Sequence, residues 1–249
     1  MKKVISLALC VILVCLSGCV AVNFGSGWAS GGSTVTGKGD KEMYTFSVGE
    51  ISEIEVSLNC KIEYYAATSD TVTLEIQSNL MEYVTVEESN GVLKVRSARN
   101  INSLSDKDVP VLTVSTLALT RVNQSGAGTF TAHDTITAES FSLILAGAGA
   151  GKADLDVGKL SVSMAGAGSF DLSGRADNAE LTLAGTGRIN ALSLDTLETE
   201  IVLSGIGNVS ISCSDKLGII AGGMGSVEYR GSPSIDLSRG GMVSLKQVN

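Results

Sequence analysis

Between Glu53 and Tyr64 the chain alternates. Ile54, Val56, Leu58, Cys60, Ile62 and Tyr64 share one parity, while Glu53, Glu55, Ser57, Asn59, Lys61 and Glu63 share the other. Successive strand side chains point to opposite faces, so the pattern predicts a strand with one buried and one wet face. Val72, Leu74 and Ile76 repeat it, as do Val84 with Val86 and Leu93 with Val95. Asn90-Gly91, between those last two pairs, is a hairpin signal and predicts local antiparallel pairing. Asn100 to Pro110 is polar and predicts a loop. Helical periodicity is nearly absent from Lys41 to Val122.

Further along, the alternation becomes a repeat. Gly-x-Gly units start at Gly126, Gly147, Gly166, Gly185, Gly205 and Gly223, and a degenerate copy stands at Gly240-Gly241. Aliphatics of constant parity precede them (Leu143 and Leu145, Val162 and Met164, Leu181 and Leu183). Phe130, Phe170, Ile189, Val209 and Val227 follow two residues past the second glycine. A period near 19 or 20 with strand alternation inside it predicts one solenoid coil per copy. At about 3.3 Å per residue the perimeter is roughly 60 Å, which suits a right-handed parallel β-helix. The glycines fall at core parity, where a bend needs positive φ or backbone crosses close to backbone. The residues between them, Ala127, Ala148, Ala167, Thr186, Ile206 and Met224, are predicted to form an outer column.

The segment from Tyr44 to Tyr229 resembles the family called the auto-transporter adhesin head, or GIN domain. The resemblance rests on Phe46, Ile54-Glu55-Val56, Gly91-Val92-Leu93-Lys94-Val95, Val111-Leu112-Thr113-Val114, Leu119-Thr120-Arg121-Val122 and the glycine copies that follow. It implies a β-helical, envelope-located and often lipid-anchored protein. It supplies no catalytic residues.

Composition agrees with small-residue stacking. Hydrophobic residues make up 44% and aromatics only 4%, with 29 glycines and 2 prolines. The core must therefore come from many small aliphatic side chains. At the N-terminus, Lys2 and Lys3 precede an apolar run from Val4 to Leu16, too short to span a bilayer. The run ends in Leu16-Ser17-Gly18-Cys19, which resembles the lipobox of bacterial lipoproteins, with Cys19 as the acylated (palmitate-bearing) new N-terminus. Val20 after it resembles outer-membrane sorting in a Gram-negative host. Removing Lys2 and Lys3 with an acid-free leader takes the net charge from −8 to −10. That excludes nucleic acid and an anionic membrane surface as partners of a basic face.

Several motifs invite chemistry and fail. Ala146 to Ala153 lacks the first glycine and the Ser or Thr of a phosphate loop. Asp154 and Asp171 recur at about twice the nine-residue calcium period. His133, the only histidine, sits on the polar link Thr131 to Thr135 and is read as solvated. Arg121, Lys152, Arg175 and Arg188 lie near successive coils without a dense acidic partner set. Trp28, Tyr64, Tyr65 and Tyr83 are poorly placed as sugar platforms. No catalytic, metal or cofactor residue is assigned. Cys60 and Cys213, about seven coils apart in a continuous solenoid, are expected to stay unpaired, because a disulfide needs Cα atoms within about 7 Å.

The expectation is an all-β chain. It comprises a signal peptide (1–18), a Gly/Ser-rich tether (19–40), a less regular and partly antiparallel N-terminal β region (41–122) and a repeated solenoid (123–249). The preferred function is a non-catalytic binding or adhesion module. It would be anchored in the outer membrane through lipid on Cys19 and bind a protein or glycan. The alternatives are a self-assembling or scaffolding envelope protein and, more distantly, a polysaccharide-active β-helix enzyme.

Overall fold

The computed structural model describes residues 33–97, 101–104 and 109–248. The leader, Cys19, Trp28 and most of the tether lie outside them.

Chain order begins with β1 (Ser33–Val35), β2 (Lys41–Phe46), β3 (Glu53–Val56), β4 (Cys60–Tyr65) and β5 (Thr71–Gln77). A single helical turn, α1 (Ser78–Met81), follows, then β6 (Val84–Ser89), β7 (Val92–Ser97), β8 (Ile101–Leu104) and β9 (Val111–Ser115). The repeats supply β10 (Arg121–Gln124), β11 (Ala127–Ala132), β12 (Ile136–Leu145), β13 (Ala148–Met164), β14 (Ala167–Leu183), β15 (Thr186–Leu203) and β16 (Ile206–Ala221). The last strands are β17 (Met224–Arg230), β18 (Ser234–Arg239) and β19 (Met242–Gln247). From β10 onward every pairing is parallel, giving a β-solenoid of about seven turns.

Parity decides the core. Ile54, Val56, Leu58, Cys60, Ile62 and Tyr64 are all buried, as are the aliphatics that flank each glycine pair. One inward ladder runs Ile62, Phe130, Gly151, Phe170, Ile189, Val209, Val227. Gly151 breaks it for a packing reason: a Cβ there would overlap the Phe170 ring, which fills that space. Side-chain volume is thus shared between adjacent rungs at close-packed density. Two buried polar side chains find carbonyl partners, Thr196 Oγ1 donating to Ser212 at 2.8 Å and Gln124 Nε2 to Cys60 at 3.2 Å, whereas Arg121 Nε is buried without one among the described residues.

The glycine corners form two columns. A Cβ on Gly166 would fall on the carbonyl oxygen of Gly147, and the same holds for Gly185 over Gly166 and Gly168 over Gly149. Close stacking of coil on coil, rather than positive φ, is what excludes a side chain at these three. The Ala127-to-Met224 residues between the columns lie in register and face outward, as their parity predicts.

The N-terminal half departs from a simple spiral. β3 pairs in parallel with both β7 and β10, and β4 with both β9 and β11. The 53–65 coil is therefore sandwiched between a later segment on one side and the first glycine repeat on the other. The intervening chain turns antiparallel, with β2 on β5, β5 on β9 and β6 on β7. Asn90 (φ 55°) and Gly91 (φ 81°) make the predicted two-residue turn between β6 and β7. Two expectations are corrected. The polar stretch from Asn100 contains β8, which pairs in parallel with β1, a partner invisible in the local pattern. The solenoid is also not continuous in chain order, because the excursion after β4 forms strands on the far side of its own coil.

Candidate functional site

The coil has outer walls of two kinds. Beyond the glycine corner, polar side chains bond along their columns. Asp154 accepts from Thr135 Oγ1 at 2.7 Å and Ser173 Oγ at 2.8 Å, and Asp171 accepts from Asn190 Nδ2 at 2.9 Å. Ser210 Oγ donates to Asn190 Oδ1 at 3.1 Å, and Ser226 Oγ to Asn208 Oδ1 at 2.8 Å. These ladders satisfy themselves and hold coils in register.

The wall before the glycine corner differs. One column reads Ser142, Ser161, Glu180, Glu200, Gly218, Asp236, and its neighbour reads Ser140, Lys159, Asn178, Glu198, Lys216. Together they line a groove made of a cavity of about 500 Å³ around Glu180, Glu198, Glu200, Lys216 and Asp236 and one of about 400 Å³ around Ser140, Ser142, Lys159 and Ser161. Asn178 and Glu180 belong to both, so the two are continuous. None of these side chains has a hydrogen-bond or ion-pair partner among the described residues. The groove therefore offers free carboxylates, ammonium groups, hydroxyls and an amide to a ligand.

These carboxylates were not among the residues singled out from sequence. Glu180, Glu198, Glu200 and Asp236 are scattered in sequence, but stacking at a period near 19 brings them onto one wall. Reading the charged positions in the same register as the glycines would have found them. The cations singled out from sequence do not gather there. Arg121 heads the Ser142 column, Arg188 faces the opposite wall, and Arg175 pairs with Asp177 at 2.9 Å. Lys152 stands beside Asp171 in the column of self-bonded residues.

His133 is not simply solvated. Its ring stacks on Tyr65, with centroids 4.6 Å apart and an interplanar angle of 7°, and its Nε2 meets the Glu63 carboxylate. The cluster ties the end of β11 to β4, where the His133 amide also donates to the Tyr64 carbonyl at 3.0 Å. Tyr64 is buried, its hydroxyl donating to the Thr116 carbonyl at 3.0 Å, which leaves it unavailable as a sugar platform. Cys60 and Cys213 are buried and unpaired. Burial pushes the Cys60 thiol up to about 12. They sit five rungs apart (Cys60, Gly128, Gly149, Gly168, Gly187, then the β16 strand of Cys213), fewer than the seven expected of a continuous spiral. Along the outer column, Ile206, Met224 and Met242 stack in register at 51%, 43% and 74% exposure, a narrow apolar strip.

No curated protein matches the chain. Among solved structures, a putative adhesin from Bacteroides fragilis is 22% identical, with a TM-score of 0.82, covering 86% of this chain and 100% of that one. A putative lipid binding protein from Parabacteroides distasonis is 23% identical, with a TM-score of 0.69 and coverage of 87% and 100%. A putative adhesin from Parabacteroides merdae is 18% identical, with a TM-score of 0.62 and coverage of 87% and 99%. These likenesses establish the fold. A family model matches residues 50–233, and the chain belongs to the family described as putative auto-transporter adhesin, head GIN domain.

Proposed function

We propose that the protein is a lipid-anchored envelope module that binds a macromolecular partner along the groove without transforming it. The observation that carries this reading is the groove itself: Glu180, Glu198, Glu200, Asp236, Lys159 and Lys216 line it with no hydrogen-bond or ion-pair partner among the described residues, whereas Asp154, Asp171 and Asn190 beyond the corner are bonded to their neighbours. Free polar groups on a concave surface of preformed strands are what a ligand site needs, since binding then breaks no internal bonds. Family membership supports an adhesion role. The anchor is read from Leu16-Ser17-Gly18-Cys19, whose acyl chains would hold a protein with no membrane-crossing helix among the described residues. A non-catalytic role is supported by exposure. All four groove carboxylates are open to solvent, whereas paired acid and base catalysis needs sharply different environments.

The test is an array of glycans and envelope proteins probed with the full chain and with Ser161→Trp, which fills the middle of the groove. Capture by the wild type and its loss in the variant is the expected result. Equal capture by both would place binding elsewhere. A second reading, self-association, is favoured by the strip of Ile206, Met224 and Met242.

A further inference from the structure

The last coil keeps the core pattern with no coil above it. Ile235 and Leu237 of β18 stand in register over Leu217 and Ile219, the inward ladder of β16. Leu217 and Ile219 are buried, whereas Ile235 and Leu237 are 40% and 36% exposed. On β19, Val243 and Leu245 continue the inward positions of Gly225 and Val227. β18 pairs with β16 and β19 with β17, and among the described residues no strand lies on the other edge of either. That open edge is regular. The Gly240 amide donates to the Ala221 carbonyl at 2.9 Å, and the Val248 amide to the Tyr229 carbonyl at 2.8 Å. Backbone groups alternate sides along a strand, so those bonds turn the amides and carbonyls of Ile235, Leu237 and Arg239, and of Val243, Leu245 and Gln247, toward the edge. Repeat proteins ordinarily close with a polar capping repeat, and an apolar strand edge left open is a template for pairing.

We infer that this end of the solenoid binds the same end of a second copy, about a two-fold axis through the Gly240-Gly241 corner. Such an axis lays β18 antiparallel on β19 of the second copy, and β19 on its β18, so both open edges are covered at once. With Gly241 on the axis, Leu237 faces Leu245 of the second copy, Ile235 faces its Gln247 and Arg239 its Val243. Residues whose backbone groups point to the edge thus meet one another, as antiparallel hydrogen-bonded pairs require. On the outer face the same register sets Asp236 opposite Lys246 of the second copy, and symmetry repeats the pair. Within one copy Lys246 has only a loose contact with Glu228, at 4.0 Å. Apolar pairs inside and opposite charges outside are the cross-strand pairings that stabilise a sheet. A lone peptide strand would cover one wall, whereas a second copy matches both walls and the corner between them. The contact stands whatever the groove holds, and it differs from the Ile206 and Met224 strip along the side of the coil.

Sedimentation equilibrium of the full chain in density-matched detergent tests this. The wild type should sediment as a dimer. Asp236→Lys and Lys246→Asp each set like charges opposite one another, and each should weaken the dimer roughly tenfold or more. D236K/K246D restores opposite charges and should recover wild-type association. Ile206→Ser, two rungs from the edge, should change association by no more than about twofold. Register is read separately, because it places Ser238 opposite Ser244 of the second copy. S238C mixed with S244C should oxidise to a covalent dimer, in higher yield than either variant alone. A monomeric wild type, or a double reversal as weak as either single one, would overturn the contact. So would loss of association in Ile206→Ser, or equal crosslinking by S238C alone. Mass growing past two copies with concentration would signal head-to-tail stacking and overturn the two-fold axis.

Discussion

Gly166 stacks so closely on Gly147 that a Cβ on the first would occupy the place of the second's carbonyl oxygen. The contact recurs up the solenoid and makes the corner a zone of backbone against backbone. Gly166→Val should therefore destabilise the protein by roughly 1–3 kcal/mol or more, as overpacking of a rigid site does. Ala167→Ser, one residue on and facing outward, should stay within about 0.5 kcal/mol of the wild type. Urea unfolding of both variants measures the difference. Equal effects would contradict the corner geometry.

The hairpin between β6 and β7 makes a second local test. Asn90 and Gly91 both have positive φ, and the Gly91 amide donates to Glu88 Oε1 at 3.0 Å. Gly91→Val forces a β-branched residue into that conformation, at a cost of about 1–3 kcal/mol. Thermal unfolding of this variant should show a lowered midpoint. An unchanged midpoint would mean that the turn does not govern the pairing of Val86 with Val95.

The thiols report on burial. Cys60 holds its proton up to about pH 12 because burial disfavours the thiolate. A raised folded pKa contributes stability in full below the unfolded thiol value. That contribution is lost as pH climbs from the unfolded value, about 8.5, toward the folded one. At pH 9, iodoacetamide should therefore leave Cys60 unlabelled in the native protein and label it rapidly in urea. Mass spectrometry should find Cys60 and Cys213 unbridged. Fast native labelling would contradict the burial of Cys60, and a Cys60–Cys213 disulfide would contradict the five-rung separation.

The anchor is tested by Cys19→Ala. Without an acylated cysteine the protein should leave the membrane fraction and need no detergent. Firm membrane association of the variant would remove the lipid attachment from the account.

Much of this fold was legible in the chain. Parity around Ile54 to Tyr64 and the glycine period carry burial information directly, because each side chain's face is set by its position along a strand. The order of coils was not legible. β3 lies between β7 and β10, and nothing within β3 distinguishes those partners from any other aliphatic strand. The one-turn helix Ser78–Met81 was also missed, since four residues are too few to show a helical period. The groove was half legible. Glu180, Glu200 and Gly218 each stand five residues before a corner glycine (Gly185, Gly205 and Gly223), so their column was readable from the repeat, whereas the cavity beside it was not. Cys19 and the leader fall outside the described residues, so the anchor rests on sequence alone.

The central claim is that a partner docks on the wall of Glu180, Glu198 and Glu200 and not on the outer apolar column. Carbodiimide labelling of carboxylates, read by mass spectrometry with and without a partner captured on the array, tests it most directly. The account predicts that Glu180, Glu198 and Glu200 become protected while Asp215 and Glu228 label as before. Unchanged labelling in the groove, together with protection of Met224 and Met242 from oxidation, would contradict it.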